Sequence, residues 1–233
     1  MNEILDKYLS SAGISGAAGK LEKHMDLVLE YNENVNLTAI RDRDDFAVKN
    51  IIDSLCIFAD ERYRRAEKII DVGTGAGFPG IPLAIVSPDK EFVLMDSLGK
   101  RVKIIGEMAE KLGLENVKAV HSRAEDLAHD SEYRGKFDMC LSRAVSQLDV
   151  LAEYCLPFVK QGGYFVSYKG SGFAEEAHDA ANALKILGGT IESAETDLMK
   201  EYGLAHVLLF IKKTGRTPAK YPRKAGTPKR NPL

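Results

Sequence analysis

From residue 68 onward, short apolar runs alternate with amphipathic stretches. Strands are predicted near 68–72, 91–96, 117–121, 136–141 and 163–168, and helices near 80–87, 98–112, 147–157 and 173–187. Alternation at this spacing predicts an α/β fold: a mostly parallel sheet with helices on both faces. Lys111-Leu112-Gly113 supplies a helix end, because glycine tolerates the left-handed cap conformation. The strongly apolar run Val207–Ile211 predicts a last strand over about 204–212, antiparallel to a strand near 190–197. Upstream, Leu21, Met25 and Val28 recur at helical steps, a Gly/Ala/Ser break occupies 13–19, and a second helical stretch lies near 46–58. The predicted organisation is a helical extension over 1–65 packed on a core over 66–213, followed by a Pro-rich basic tail over 214–233.

Between the first strand and first core helix the pattern breaks into Asp71-Val-Gly73-Thr-Gly75-Ala-Gly77-Phe78-Pro-Gly80. Glycines at alternate positions permit positive φ and close approach of a ligand to backbone. Asp96 ends the second strand, where the ribose hydroxyls of a bound nucleotide would lie, and its alternative role is to cap the next helix. Gly75-Ala-Gly77-Phe-Pro-Gly80 formally fits a dinucleotide fingerprint, but Asp71 would oppose a pyrophosphate, and no Lys or Arg follows before Lys90. The cationic S-adenosyl-L-methionine fits that charge better than NAD. A turn that only allows tight strand–helix packing is the alternative.

Charge is distributed unevenly. The chain of 233 residues has a net charge of −2. From Tyr202 onward there is no acid, but there are eight bases: Lys212, Lys213, Arg216, Lys220, Arg223, Lys224, Lys229 and Arg230. Such a tail suits RNA phosphates, a solvated end, or a return onto the acidic body. An apolar content of 45% is ample for a core, and three cysteines do not make a disulfide framework. No signal peptide or membrane-spanning run is evident, so a cytoplasmic protein is expected. No His/Cys/Asp cluster has metal-ligand spacing.

Ligands of open α/β sheets collect at the carboxyl ends of the strands. Besides the glycine loop and Asp96, that edge should gather Arg123-Ala124-Glu125-Asp126, Ser142-Arg143-Ala144 and Tyr168-Lys169-Gly170. Glu125 or Asp126 could accept from an adenine amino group, or be surface charge. Arg143 and Lys169 could contact RNA phosphate or a cofactor carboxylate, or pair with nearby acids. His121 reads as structural. The fourth strand ends in Leu141-Ser-Arg-Ala144, not the Asn/Asp-Pro-Pro-aromatic pattern of amine methylation, and Cys140 lies within an apolar strand with no activating base. A nucleophile with its own lone pair, such as guanine N7, needs alignment rather than a general base.

The chain resembles the family of bacterial ribosomal RNA small-subunit methyltransferase G, also called glucose-inhibited division protein B. The strings that carry the resemblance are Asn36-Leu-Thr-Ala-Ile40, Ile51-Ile-Asp-Ser-Leu55, 71–82, Asp96-Ser-Leu-Gly-Lys-Arg101, Ser142-Arg-Ala144 and 221–228. It implies a Rossmann-like class I methyltransferase that methylates N7 of one guanine in 16S ribosomal RNA, in the small subunit or an assembly intermediate of it. It also implies cofactor contacts by Gly73, Phe78, Ala124, Glu125 and Arg143; Gly75, Gly77 and Asp96 join them on the loop and ribose arguments. Asn50 stands where many relatives have His. The competing readings are a small-molecule methyltransferase, a nicotinamide-dependent oxidoreductase and an RNA-binding module with a vestigial pocket.

Overall fold

The computed structural model describes residues 2–233. Among them, seven strands form one sheet: β1 (Lys68–Val72), β2 (Glu91–Asp96), β3 (Val117–His121), β4 (Phe137–Arg143), β5 (Val159–Lys169), β6 (Gly189–Glu195) and β7 (Val207–Lys213), in the order β3-β2-β1-β4-β5-β7-β6. All pairings are parallel except those of β7, which runs antiparallel to both neighbours. The predicted hairpin of the last two strands is present, but β7 lies inside it and β6 forms the sheet edge. Strand order reverses between β1 and β4, which opens a crevice at their carboxyl ends.

Side chains of a strand alternate between faces, so one strand feeds two cores. In β1, Ile69 packs with Leu21, Met25, Ile51 and Leu94, whereas Ile70 packs with Cys140, Leu151 and Phe165. The first core contains α1 (Glu3–Ser11), α2 (Ala18–Asn32), α6 (Gly80–Val86) and α7 (Gly99–Leu112). Residues 1–65 therefore share the core of the sheet, through the described part of that extension. The second core contains α9 (Leu148–Cys155), α11 (Ala181–Leu187) and Tyr221 of the tail. Residues 173–187, predicted as one helix, divide at Ala180 into α10 (Phe173–Asp179) and α11, although the sequence there carries no helix breaker.

Residues 214–233 are integrated in this second layer. Arg223 grips the buried Glu153 carboxylate with Nε (3.0 Å) and Nη2 (2.6 Å). Arg134 donates to the carbonyls of Ala128, Thr217, Pro218 and Tyr221, and His129 Nε2 lies 2.8 Å from the Pro222 carbonyl. Lys213 is buried too, donating to the Leu187 carbonyl at the end of α11. Of the alternatives open in the sequence, the tail returns onto the acidic body. Arg216, Lys220, Lys224, Lys229 and Arg230 stay exposed.

The segment between α2 and β1 has a local irregularity. Helix α3 (Arg43–Phe46), capped by Asp42 accepting from the Asp44 and Asp45 amides, passes through π-helical turns over Ala47–Ile52 into α4 (Asp53–Leu55). A π segment adds a residue to the turn and re-aims the side chains beyond it. Here Asn50 and Asp53 both reach the end of β4.

Candidate active site

The loop after β1 is organised by two acids. Gly73, Gly75 and Gly77 adopt φ of +74°, +61° and +93°, the left-handed region that side chains disfavour. The amides of Gly73 and Thr74 donate to the Met95 carbonyl, and the Gly75 amide donates to Asp96 Oδ2 at 3.0 Å. Asp71 Oδ2 accepts from the Gly80 amide, also at 3.0 Å. A Cβ on Gly73 would stand 2.5 Å from Val145 Cγ2, so its absence lets the segment after β4 close over the loop.

This alters the electrostatic expectation. Asp71 is fully buried, and burial pushes its carboxyl up to about 7 against the opposing hydrogen bond from the Gly80 amide. It anchors the loop from beneath rather than facing a ligand. The acid at the ligand side is Asp96. Its Oδ1 accepts from the Leu98 amide (2.9 Å) just before α7, and Arg101 Nη1 stands 3.7 Å from Oδ2. A carboxylate has about four acceptor positions, so Asp96 serves the turn and still has capacity for ligand hydroxyls.

A crevice of about 140 Å³ opens at this point, lined by residues that include Gly73, Met95, Asp96, Ala124, Glu125 and Val145. Four of the eight expected cofactor residues thus line one crevice: Gly73, Asp96, Ala124 and Glu125. Glu125 is buried and its Oε1 accepts from the Gly226 amide of the tail at 2.9 Å. Gly75 stands behind, holding Asp96. Gly77 and Phe78 do not line the crevice. Gly77 backs onto Ile81, and the buried Phe78 ring packs on His24 (5.0 Å) and Phe46 (5.7 Å) in the first core.

Arg143 also departs from expectation. It turns from the crevice into a second cavity of about 470 Å³. There its Nη1 donates to Asp53 Oδ2 (2.7 Å) and the Lys49 carbonyl (3.1 Å), and its Nη2 donates to Asn50 Oδ1 (3.2 Å). Its guanidinium lies 5.2 Å from the centre of the Phe78 ring, which explains one use of that ring. Lys169 donates to Glu176 (2.5 Å) and to the Ser146 carbonyl (2.9 Å). For both cations, pairing with a nearby acid is the arrangement observed. Asp126 is exposed, and His121 Nε2 lies 3.2 Å from the Ser97 carbonyl with its ring beside Gly99. Cys140 is buried, with burial pushing its thiol up.

Two residues of the second cavity carry no sequence signal of their own. Asp53 is almost wholly buried, and its Oδ1 bonds Nδ1 of His206 at 2.6 Å, which raises the His206 pKa. They are 153 positions apart, with the histidine just before β7. Asp53 lay inside a matched string, but nothing in that string marks a partner. The two cavities flank residues 143–146, where Ala144 holds φ at +56°, the one non-glycine residue with positive φ among those described. Such strain persists where the surroundings enforce it.

A family model described as GidB, rRNA small subunit methyltransferase G, matches residues 17–201. The ribosomal RNA small subunit methyltransferase G of Clostridium tetani is 42% identical over 99% of this chain and 98% of its own length. That of Alkaliphilus oremlandii is 47% identical over 92% of this chain and 90% of its own. Among solved structures, cofactor-bound Rv0187 from MTB aligns with a TM-score of 0.58 at 19% identity, covering 84% of this chain and 91% of that one. The fibrillarin pre-rRNA processing protein of Methanococcus jannaschii aligns at 0.52 and 16% identity, covering 65% and 68%. These two likenesses concern the Rossmann-like fold. With a matching model over most of its length and relatives above 40% identity across nearly all of it, the chain belongs to the rRNA small subunit methyltransferase G family.

Proposed function

We propose that the protein transfers a methyl group from S-adenosyl-L-methionine to N7 of a guanine in 16S ribosomal RNA. The observation that carries this reading is the placement of Asp96 and the glycine loop at the strand-order reversal, one short segment away from a second, roomier cavity. The names of the curated relatives support ribosomal RNA of the small subunit as the substrate.

The donor fits the crevice by the chemistry of its lining: the spare acceptor positions of Asp96 suit ribose hydroxyls, and Glu125 suits an adenine amino group. When bound, it supplies a methyl carbon made electrophilic by a sulfonium. The residues of this chain contribute positioning. Gly73 presents backbone at the crevice, Gly75 holds Asp96, Val145 lies over Gly73, and the segment 143–146 separates donor from acceptor. N7 attacks with its own lone pair while the sulfur departs with the bonding pair, so no proton need leave first. The exposed cations of the tail face RNA phosphates in this reading, and the protein acts in the cytoplasm on RNA, an assembly intermediate or the small subunit.

The test is incubation with methyl-labelled donor and either naked 16S RNA or small-subunit particles, followed by cleavage chemistry specific for N7-methylated guanine. One labelled guanine is the expected result. Label in RNA that resists such cleavage would reject N7, and retention of NAD instead of S-adenosylhomocysteine would reject the donor.

A further inference from the structure

Two residues that line the second cavity carry hydrogen-bonding edges with no partner among the described residues, one of them sealed behind the cavity wall. Asn50 is buried, and its carbonyl oxygen faces Arg143, a group that can only donate. That fixes the amide orientation and leaves Nδ2, with two N–H groups, without a partner. A buried unpaired donor is costly, and natural proteins seldom keep one unless a ligand or water supplies the acceptor. On the same cavity, His206 gives Nδ1 to the Asp53 carboxylate, so the proton on that nitrogen is fixed. Nε2 is the imidazole edge with no partner among the described residues, and it carries a proton only when the ring is cationic.

Two donors in a cavity large enough for a purine call for an oxygen with two lone pairs. Building on the reading above, we propose that this cavity receives the target guanine and that the Asn50 amide and His206 Nε2 read its O6. Adenine would present an amino group there and meet two donors. Arg143, already committed to Asp53, Lys49 and Asn50, acts as a positioning residue that aims the Asn50 amide. The Asp53 carboxylate sits between Arg143 and His206 and offsets the charge that a cationic imidazole brings near a purine about to become cationic itself.

The charged groups around His206 fix the direction of its pH response. Asp53 from α4 raises its pKa and Arg143 from β4 lowers it, with the first dominant; Lys49, Lys169 and Glu176 line the same cavity. Guanine preference should therefore be strongest at low pH and weaken as pH rises through the raised His206 pKa.

The experiment compares RNA carrying guanine or 2-aminopurine at the target position; the latter keeps N7 but lacks O6. Affinity in the presence of S-adenosylhomocysteine and kcat/KM are both measured. The wild-type chain should favour guanine by about 10- to 100-fold, the usual worth of donors left unpaired. Asn50→Asp, which keeps shape but replaces donors by an acceptor, and His206→Gln, which keeps a donor, should respond differently. The first should abolish most of the preference and the second only part, with cofactor affinity unchanged in both. Equal losses on both RNAs, or a preference that neither variant alters, would overturn the assignment. The affinity ratio needs no methyl transfer, so N7 methylation with an unaltered ratio defeats only this inference. A ratio that responds, in RNA methylated elsewhere, defeats only the N7 reading.

Discussion

The backbone amide of Gly226 donates to the carboxylate of Glu125 at 2.9 Å, joining positions 101 residues apart. A tail whose composition also suits RNA phosphates thus forms part of the support of the crevice beside Asp96. Its hold depends on Arg223, whose guanidinium neutralises the buried Glu153.

Arg223→Ala should destabilise the protein by about 3 kcal/mol, because the buried Glu153 carboxylate would lose its countercharge and keep only the amide of residue 223 as a partner. Cofactor affinity should fall as well, since Gly226 would no longer steady Glu125. Denaturant unfolding and calorimetry read the two effects separately. Unchanged affinity in the folded variant would detach Glu125 from the tail.

The exposed tail cations make a different prediction. Replacing Arg216, Lys220, Lys224, Lys229 and Arg230 by Gln should flatten the log–log salt dependence of RNA binding by at most about 3.5, taking five contacts at the single-strand coefficient. Cofactor affinity should not change. An identical slope would remove the tail from the RNA interface.

Asp96→Ala should weaken S-adenosylhomocysteine binding by about 1.5–3 kcal/mol, the usual cost of losing hydrogen bonds to a charged group. Asp96→Asn should fall between, because one amide oxygen cannot serve both the Gly75 and Leu98 amides. Calorimetry giving wild-type affinity for the alanine variant would reject the ribose role.

Asp71 should appear in the pH dependence of stability. Its carboxyl titrates at about 7 in the fold against 3.8 without it, so the native state holds the proton between those values. Stability from this group is complete at low pH and falls as pH rises through that window, by up to about 1.4 kcal/mol per unit. Asp71→Asn removes the titration while keeping an oxygen for the Gly80 amide. The variant should therefore gain stability relative to wild type from pH 4 to 7, as measured by denaturant unfolding. Titration of His24, common to both chains, cancels. A constant difference would mean that Asp71 is ionised in the fold.

The sheet and the crevice were legible because local pattern determines both. Strand periodicity, the spacing of Gly73, Gly75 and Gly77, and an acid ending the second strand are short-range signals. What eluded them depends on long-range contacts. Asp71 looks like an exposed acid until the fold buries it. For Arg143 the sequence leaves pairing with an acid open but cannot name Asp53 of α4 as that acid, and Phe78 looks available until α2 and α3 cover it. The tail charge gave no hint that Glu153 was waiting for Arg223. His206 was silent, since a lone histidine before an apolar strand says nothing of a partner 153 positions earlier.

Because β7 lies between β5 and β6, the outer strand has nothing to pair with until residues 207–213 have been made. The sheet cannot be laid down in the order of translation: β6 must wait, and its successor slots in beside β5. His206 immediately precedes that late strand, so the seating of β7 beside β5 sets where the histidine meets Asp53. The wall of the second cavity is thereby assembled from distant parts of the chain, Asn50 and Asp53 from before β1 and His206 from the approach to β7.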